Sequence, residues 1–497
     1  MSHNKIVKAF AEIGPTFGLG PFAEQLQPLI EETLAEHGKA KWRQGTLLVP
    51  KVMVWLVLAL TLRRDLNCEQ VLNWMLSSFR WLSELLPAQA KLVAGGTISH
   101  ARVKLGFAVF QTLFAKLNRS LPALEADFYG RSTCIFDGST GTMPDSASNR
   151  EAFGKPKGRR GLGAFPQLRM MSLVAMSMRV VLDVVYAPYQ GKGTGERTLM
   201  RQLLQRVRQR GLLILMDAGL YAFDLIWEIH QTQKQDFLLK IAATVKPKFI
   251  KQLPDGSFLA EIQKKVVDPD ASPTPRGRQR WKTLSMTVRV IRLQIPGFRP
   301  CRLLTSILDE DCTAYALACH YHKRWDIEIT YDEIKTHQCA TRRGQSPTIF
   351  RSQRPDLVQQ ELYAMLITYN LVRLLILQSA DEHGKDPRFI SFLDTLHHLL
   401  DATPLLTFTL FSQHSLSLDY LRTLIADCAI DRPRRHRSHP RVVKVKMSKF
   451  PRKNHAHTPQ IRHYEAEIKI LFPPLYLLHN PQLAILPVSL FIQGYYI

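Results

Sequence analysis

Apolar residues recur at helical spacing through residues 1 to about 125 and then give way to short continuous runs, so the chain changes its period partway along. Stretches near 22–37, 50–62, 66–77 and 98–118 place apolar side chains three and four apart, which predicts amphipathic helices, the first stopped by Gly38. Beyond them, Thr133–Phe136 and Leu212–Met216 are short, predominantly apolar runs with Gly138 or Gly219 close behind. Runs so short predict strands buried on both faces. Between them, 167–176 and 179–187 predict two more strands, and 195–209 predicts a helix. Residues 238–308 contain FLLKIAATVKPKFI, FLAEI, TVRVIRLQI and CRLLTSIL, punctuated by Pro254-Asp255-Gly256 and a Pro-rich stretch at 267–276, a pattern of β-strands and turns. Residues 355–378 predict a further helix whose apolar positions support the face that carries the chemistry.

Both buried runs end in an acid, Asp137 after the first and Asp217 after the second. Open α/β sheets place their ligands at the carboxyl ends of strands, so each is a candidate ligand-binding carboxylate; the alternative for either alone is an ordinary turn-making Asp. A third acid stands in YHKRWDIEITYDEIK, where Tyr321, Arg324, Glu328 and Lys335 fall within an arc of roughly 60° at helical pitch. One face would then present a carboxylate, a guanidinium fork, an ammonium and a phenol, equipment for gripping and cutting a phosphodiester. The spacing arises by chance in about one chain of this length in several hundred. A solvated amphipathic helix is the plainer alternative, but Trp325, Ile327, Ile329 and Ile334 leave no clean polar side, so part of it must be covered. Asp332 shares the face of Glu328, and helical phase alone does not choose between them.

The blocks FDGSTGTMPDSASNREAFG, GAFPQLRMMSLV and LMDAGLYAFDL, followed by the Y-x2-R-x3-E-x6-K spacing, resemble in content and order those of bacterial insertion-sequence transposases of the DDE type, the family named for insertion sequence four. The resemblance runs to about residue 459. It favours Glu328 and implies an acidic triad of Asp137, Asp217 and Glu328 holding two Mg²⁺ ions, with Mn²⁺ as a substitute. It implies that Tyr321, Arg324 and Lys335 hold the phosphate beyond the break, that a hairpin forms at the excised end, and that two protomers bridge two ends. The fold it implies is α+β, with α/β character: a ribonuclease H-like catalytic core interrupted by a β-strand insertion and preceded by a helical domain. The expected organisation is an N-terminal helical DNA-binding domain at 1–125, core at 126–237, β-rich insertion at 238–300, core with the signature helix at 301–400, a helical and basic region at 401–459, and an apolar tail at 460–497 that departs from the family pattern. The expected activity is cut-and-paste movement of an insertion sequence at terminal inverted repeats, with double-stranded transposon-end and target DNA as partners. A ribonuclease H-like nuclease without strand transfer, or an inactive copy acting as a DNA-binding repressor, are the alternatives.

Bulk properties agree. Across 497 residues, 66 Lys and Arg stand against 42 acids, a formal charge of +24 that points to a polyanion. The 45% hydrophobic composition supports a folded core. An anionic membrane surface fits less well, because Val52–Leu62 is too short to span a bilayer and Glu12 interrupts any signal-peptide core. A cytoplasmic, nucleoid-associated bacterial protein is expected. The 7 cysteines form no disulfide framework, and Cys319, His320 and His322 lack the paired spacing of a structural zinc site. Basic residues at Lys41, Arg43, Arg63, Arg64, Arg102 and Lys104, the loop 154–163 with Arg159 and Arg160, and the acid-free segment Arg432–Lys453 are candidate DNA-backbone contacts. Trp281 either stacks on an extruded base or packs within the β-insertion.

Overall fold

The computed structural model describes residues 20–42, 48–76, 93–158, 161–268, 279–295, 299–341, 344–345, 348–408, 414–430, 437–438, 462–463 and 468–471. They fall into two compact units, one of Met1–Gln209, Arg324–Arg435 and Val443–Phe450, the other of Arg210–Lys323, His436–Val442 and Pro451–Ile497.

Helices come first: α1 (Ala23–Glu36), α2 (Pro50–Leu62), α3 (Cys68–Met75), α4 (Gly95–Leu105) and α5 (Ala108–Arg119). Pro50 opens α2 after an extended Val49, where a missing N–H costs nothing, and every residue from Val52 to Leu62 is buried. A reciprocal capping box between Asn67 and Gln70 starts α3. The single helix expected over 98–118 is two, because Gly106 adopts a φ of 80° that carries the chain from α4 into α5.

Strand β1 (Ser132–Thr142), helix α6 (Ala147–Phe153), strands β2 (Gln167–Ala175) and β3 (Val181–Pro188) and helix α7 (Glu196–Leu204) follow. β2 lies between β1 and β3, antiparallel to both. The expectation that the first strand stops at its acid is corrected: β1 continues through Asp137 to Thr142, which faces Gln167. Ser132–Phe136 are buried and the residues from Asp137 to Thr140 only partly so. Backbone pairing with β2 keeps the strand extended where apolar burial no longer does.

In the second unit β4 (Leu212–Met216), β5 (Asp236–Ile241), β6 (Lys248–Gln252), β7 (Phe258–Val267), β8 (Trp281–Gln294) and β9 (Cys301–Thr305) line up in the order β4-β5-β9-β8-β7-β6. The first pair is parallel and the rest antiparallel, a mixed sheet. From the apolar tail, Lys469 and Ile470 pair with the end of β8. Helix α8 (Ala314–His322) closes this unit.

The chain then re-enters the first unit through a 3₁₀ turn (Lys323–Trp325), α9 (Asp326–Asp332), a π turn (Glu333–His337), α10 (Pro355–Glu382), α11 (Phe392–Phe408) and α12 (His414–Asp427). The expected continuous helix from Tyr321 to Lys335 is therefore four segments, and a uniform 100° step does not describe it. α10 packs against α2 and α5. It is long and apolar enough to cross a membrane, yet 89% of its apolar window is buried inside the protein, the character of a core helix.

Glu361 of α10 ties the leading helices to this core. Its carboxylate lies 3.6 Å from Arg102 and 3.9 Å from Arg64, and accepts the Arg351 N–H at 2.8 Å and the Ser352 hydroxyl. Arg64 and Arg102 are each 6% exposed, so the expectation that they face a duplex is corrected: they serve the interior. Arg63 pairs with Asp65, Lys41 and Lys104 remain exposed, and Arg43 lies outside the described residues. Burial opposes ionisation of Glu361, but Arg102 and Arg64 outweigh it and hold its carboxyl below the ordinary range. Its stabilisation is present above the unfolded-state pKa and lost as pH falls through the folded one. Glu361→Gln should therefore cost about 3–5 kcal/mol near neutrality by stranding two guanidiniums, with the loss shrinking on acidification, as read from urea-denaturation midpoints.

Candidate active site

Asp137 lies on β1 opposite Ser172 of β2 and is partly buried. Its carbonyl accepts the Tyr331 hydroxyl of α9 at 2.8 Å. Two residues on, the Ser139 hydroxyl accepts a hydrogen bond from Lys335 Nζ. The ammonium also lies 5.2 Å from the centre of the Tyr331 ring. Two residues of β1 and two of the signature segment are thus drawn into one constellation within the first unit.

The signature segment is held by a buried charge cluster. Glu333 accepts the Tyr369 hydroxyl at 2.9 Å and lies 3.8 Å from Arg179 and 3.9 Å from Arg373. Arg179, in the β2–β3 turn, also lies 3.4 Å from Asp326, and its carbonyl accepts the Tyr369 hydroxyl. Its φ is 55°, a left-handed conformation that costs a non-glycine residue about 1–2 kcal/mol. The cluster offsets that strain by clamping α9 to the hairpin and to α10.

Glu328 projects from the first turn of α9. Burial pushes its carboxyl up, and the adjacent Arg324 guanidinium pulls it part of the way back. Of the apolar neighbours, Ile327 and Ile334 are fully covered, whereas Trp325 is 55% exposed, so the covered side of the segment does not include it.

Asp217 and Tyr321 lie in the second unit. Asp217 follows β4 and its Oδ1 accepts the Leu220 N–H at 3.1 Å, capping the 3₁₀ turn Ala218–Leu220. The turn-making role thus coexists with the candidate one. The Tyr321 hydroxyl, at the end of α8, donates to the carbonyl of Met216 at 3.0 Å, one residue before Asp217. Trp281 begins β8 and is 63% exposed, so it does not pack within the sheet. Arg159 and Arg160 lie outside the described residues, as do Arg432–Lys453 apart from 437–438.

Glu196 escaped the sequence reading. It begins α7, and a Cβ built on Gly138 would meet its carboxyl carbon at 2.9 Å, so this acid rests directly on the strand beside Asp137. A glycine immediately after the acid was the only trace of it in the sequence.

Carboxylate oxygens are the donors a hard divalent cation prefers, so each of these acids has the chemistry of a ligand for such an ion. Among the described residues no group of three or more His, Cys, Asp or Glu is gathered tightly enough to hold a metal. That extends to Cys319, His320 and His322; burial drives the His320 imidazole pKa down to about 3.

Comparison with known proteins places this arrangement. A family model described as a transposase DDE domain matches residues 129–371, which hold Asp137, Asp217 and Glu328 with the whole signature, and one described as the insertion element 4 transposase N-terminal region matches 18–115. The matched domain is that of a DDE transposase, an enzyme class that acts on DNA, and the mixed sheet with helices fits a ribonuclease H-like α+β fold. The chain belongs to the insertion element 4 family of these transposases. It is 25% identical over 453 residues to the transposase InsG for insertion sequence element IS4 of Escherichia coli K12, covering 88% of this chain and 94% of that one. The putative transposase InsZ of the same organism is 24% identical over 219 residues, 41% of this chain and 70% of its own length. A piggyBac transposase synaptic complex with hairpin DNA aligns over 86% of each chain at 11% identity, with a TM-score of 0.40, below the level at which two folds count as the same.

Because Glu328 titrates above its unfolded value, its ionisation opposes folding as pH rises through that interval. Glu328→Gln removes the cost. Thermal unfolding at neutral pH should give a Tm no lower than that of the wild type, with any gain vanishing below the ordinary glutamate range; a lower neutral-pH Tm would contradict this origin of the shift.

Proposed function

We propose that this transposase moves its insertion sequence by cut-and-paste, hydrolysing a phosphodiester at each terminal inverted repeat and then joining the freed 3′ end to target DNA. The observation that carries the reading is the reach of Lys335, from the segment bearing Glu328, to Ser139 two residues past Asp137. An acid suited to a divalent cation and an ammonium suited to a phosphate share one locality.

Asp137, Asp217 and Glu328 would hold two Mg²⁺ ions, with Mn²⁺ as substitute; when bound, these activate the attacking oxygen and stabilise the leaving one. The protein's own residues supply grip and alignment. Arg324 offers a planar fork for two phosphate oxygens and Lys335 a point charge, so the two are not interchangeable. Tyr321 places a phenol one residue from Asp217 and can orient the phosphate beyond the break. Arg159, Arg160 and the basic segment after Arg432 suit sequence-independent contact with the DNA backbone. The exposed ring of Trp281 is free to stack on an unpaired base. Residues 1–125 are read as the region that recognises transposon ends, 238–300 as an insertion into the core, and the working assembly as a homodimer on two ends in the bacterial cytoplasm.

The test is incubation with Mg²⁺, terminal inverted-repeat DNA and a target plasmid. Joined products are expected. Cleavage without joining would indicate a nuclease, and bound but intact DNA a repressor. Alanine at Asp137, Asp217 or Glu328 should each lower cleavage by more than about 100-fold while leaving DNA binding in place, and chelation of the metal should do the same. Arg324→Lys should impair cleavage despite keeping the charge.

A further inference from the structure

Arg169 of β2 lies opposite Thr140 of β1, past Asp137 and about 10 Å along the strand from it. Its guanidinium is partly buried, and among the described residues no carboxylate pairs with it. Two weaker contacts hold it: its central carbon stands 4.8 Å from the middle of the Tyr189 ring, and one terminal nitrogen donates to the Thr194 carbonyl at 3.1 Å. The Nε–H is buried without an acceptor, and the other terminal nitrogen has no partner among the described residues. A partly desolvated guanidinium without a counter-ion costs stability, and neither contact neutralises its charge. The ring covers one face of the fork and leaves its edge open. Thr194 belongs to the loop Gly191-Lys192-Gly193-Thr194-Gly195 between β3 and α7. Gly191 and Gly193 take φ values of 128° and 75°, a backbone that glycine adopts without strain. Between them Lys192 is exposed and, among the described residues, has no ion-pair or hydrogen-bond partner. The loop and the strand it is tied to thus carry two cations that nothing in the protein neutralises.

We propose that Arg169 and Lys192 form a phosphate-binding site that grips the DNA backbone about three nucleotide steps from the phosphodiester cut at Asp137. The distance rests on reading Asp137 as part of the cutting site. Arg169, fixed in orientation by Tyr189 and Thr194, offers a planar fork to two phosphate oxygens, and Lys192 adds a point charge. Such contacts set the register of the duplex and carry no base preference.

The test titrates the full-length protein with duplex DNA at several salt concentrations, where the slope of log K against log salt counts the phosphates held. Arg169→Gln and Lys192→Ala should each shrink that slope by about 1, and together by about 2, equally on end DNA and on an unrelated duplex of the same length. A single neutral methylphosphonate moved along the end should weaken wild-type binding at one position and cost Arg169→Gln nothing there. Thermal unfolding checks that each variant is folded, and exposed Lys192 keeps the site testable should Arg169→Gln fail to fold. Wild-type slopes in the folded variants would overturn the site and leave Arg169 as an anchor for the glycine loop. Because the readout is binding, slopes that fall as expected while Asp137→Ala still cuts and joins DNA would overturn the reading of Asp137 and not the phosphate grip, so the two failures are distinguishable.

Discussion

The buried carboxylate of Glu333 is the interaction on which the first unit's chemistry depends. It sits among Arg179, Arg373 and Tyr369, which belong to the β2–β3 turn and to α10, while Glu333 itself begins the π turn after α9. A buried charge is tolerated only where partners compensate its desolvation, so these elements have few ways to fit together. The arrangement they settle on places Tyr331 and Lys335 against β1. Without it, the 3₁₀ turn, short helix and π turn that make up the signature segment have little local propensity to hold one shape.

Around the candidate site residues the structure gives up stability. Glu328 is partly desolvated, Arg179 holds a left-handed backbone, and the region from Asp137 to Thr140 is only partly covered although it lies in a strand. Sites that bind cations and phosphates carry such costs, because groups satisfied by their own neighbours are not free to engage a ligand. The compensation lies behind them, in the covered α2, in α10 and in the ionic hub at Glu361. The basic surplus is likewise divided: Arg64, Arg102 and Arg373 stabilise the interior, and so they do not contribute to the surface that meets DNA.

What could be read in advance followed from local pattern. The buried runs before Asp137 and Asp217, the helices at α2 and α10 and the strands of 238–308 are visible because side-chain period and apolar run length are properties of neighbouring residues. The Y-R-E-K spacing was likewise legible, since it is a statement about sequence. Its geometry was not, because helix type changes three times between Tyr321 and Lys335 and a uniform pitch cannot anticipate that.

The sequence by itself therefore determined the class of the protein, the presence of its main helices and strands, and which residues are candidates for phosphodiester chemistry. Tertiary structure alone decided that β1 runs on past Asp137, that Arg64 and Arg102 turn inward to Glu361, that Glu196 rests on Gly138, and that Tyr331 joins Asp137 to Lys335. The physical reason is the same in each case. These are pairings between residues far apart in the chain, and the free energy of a buried ion pair or hydrogen bond depends on what surrounds it rather than on what precedes it in sequence.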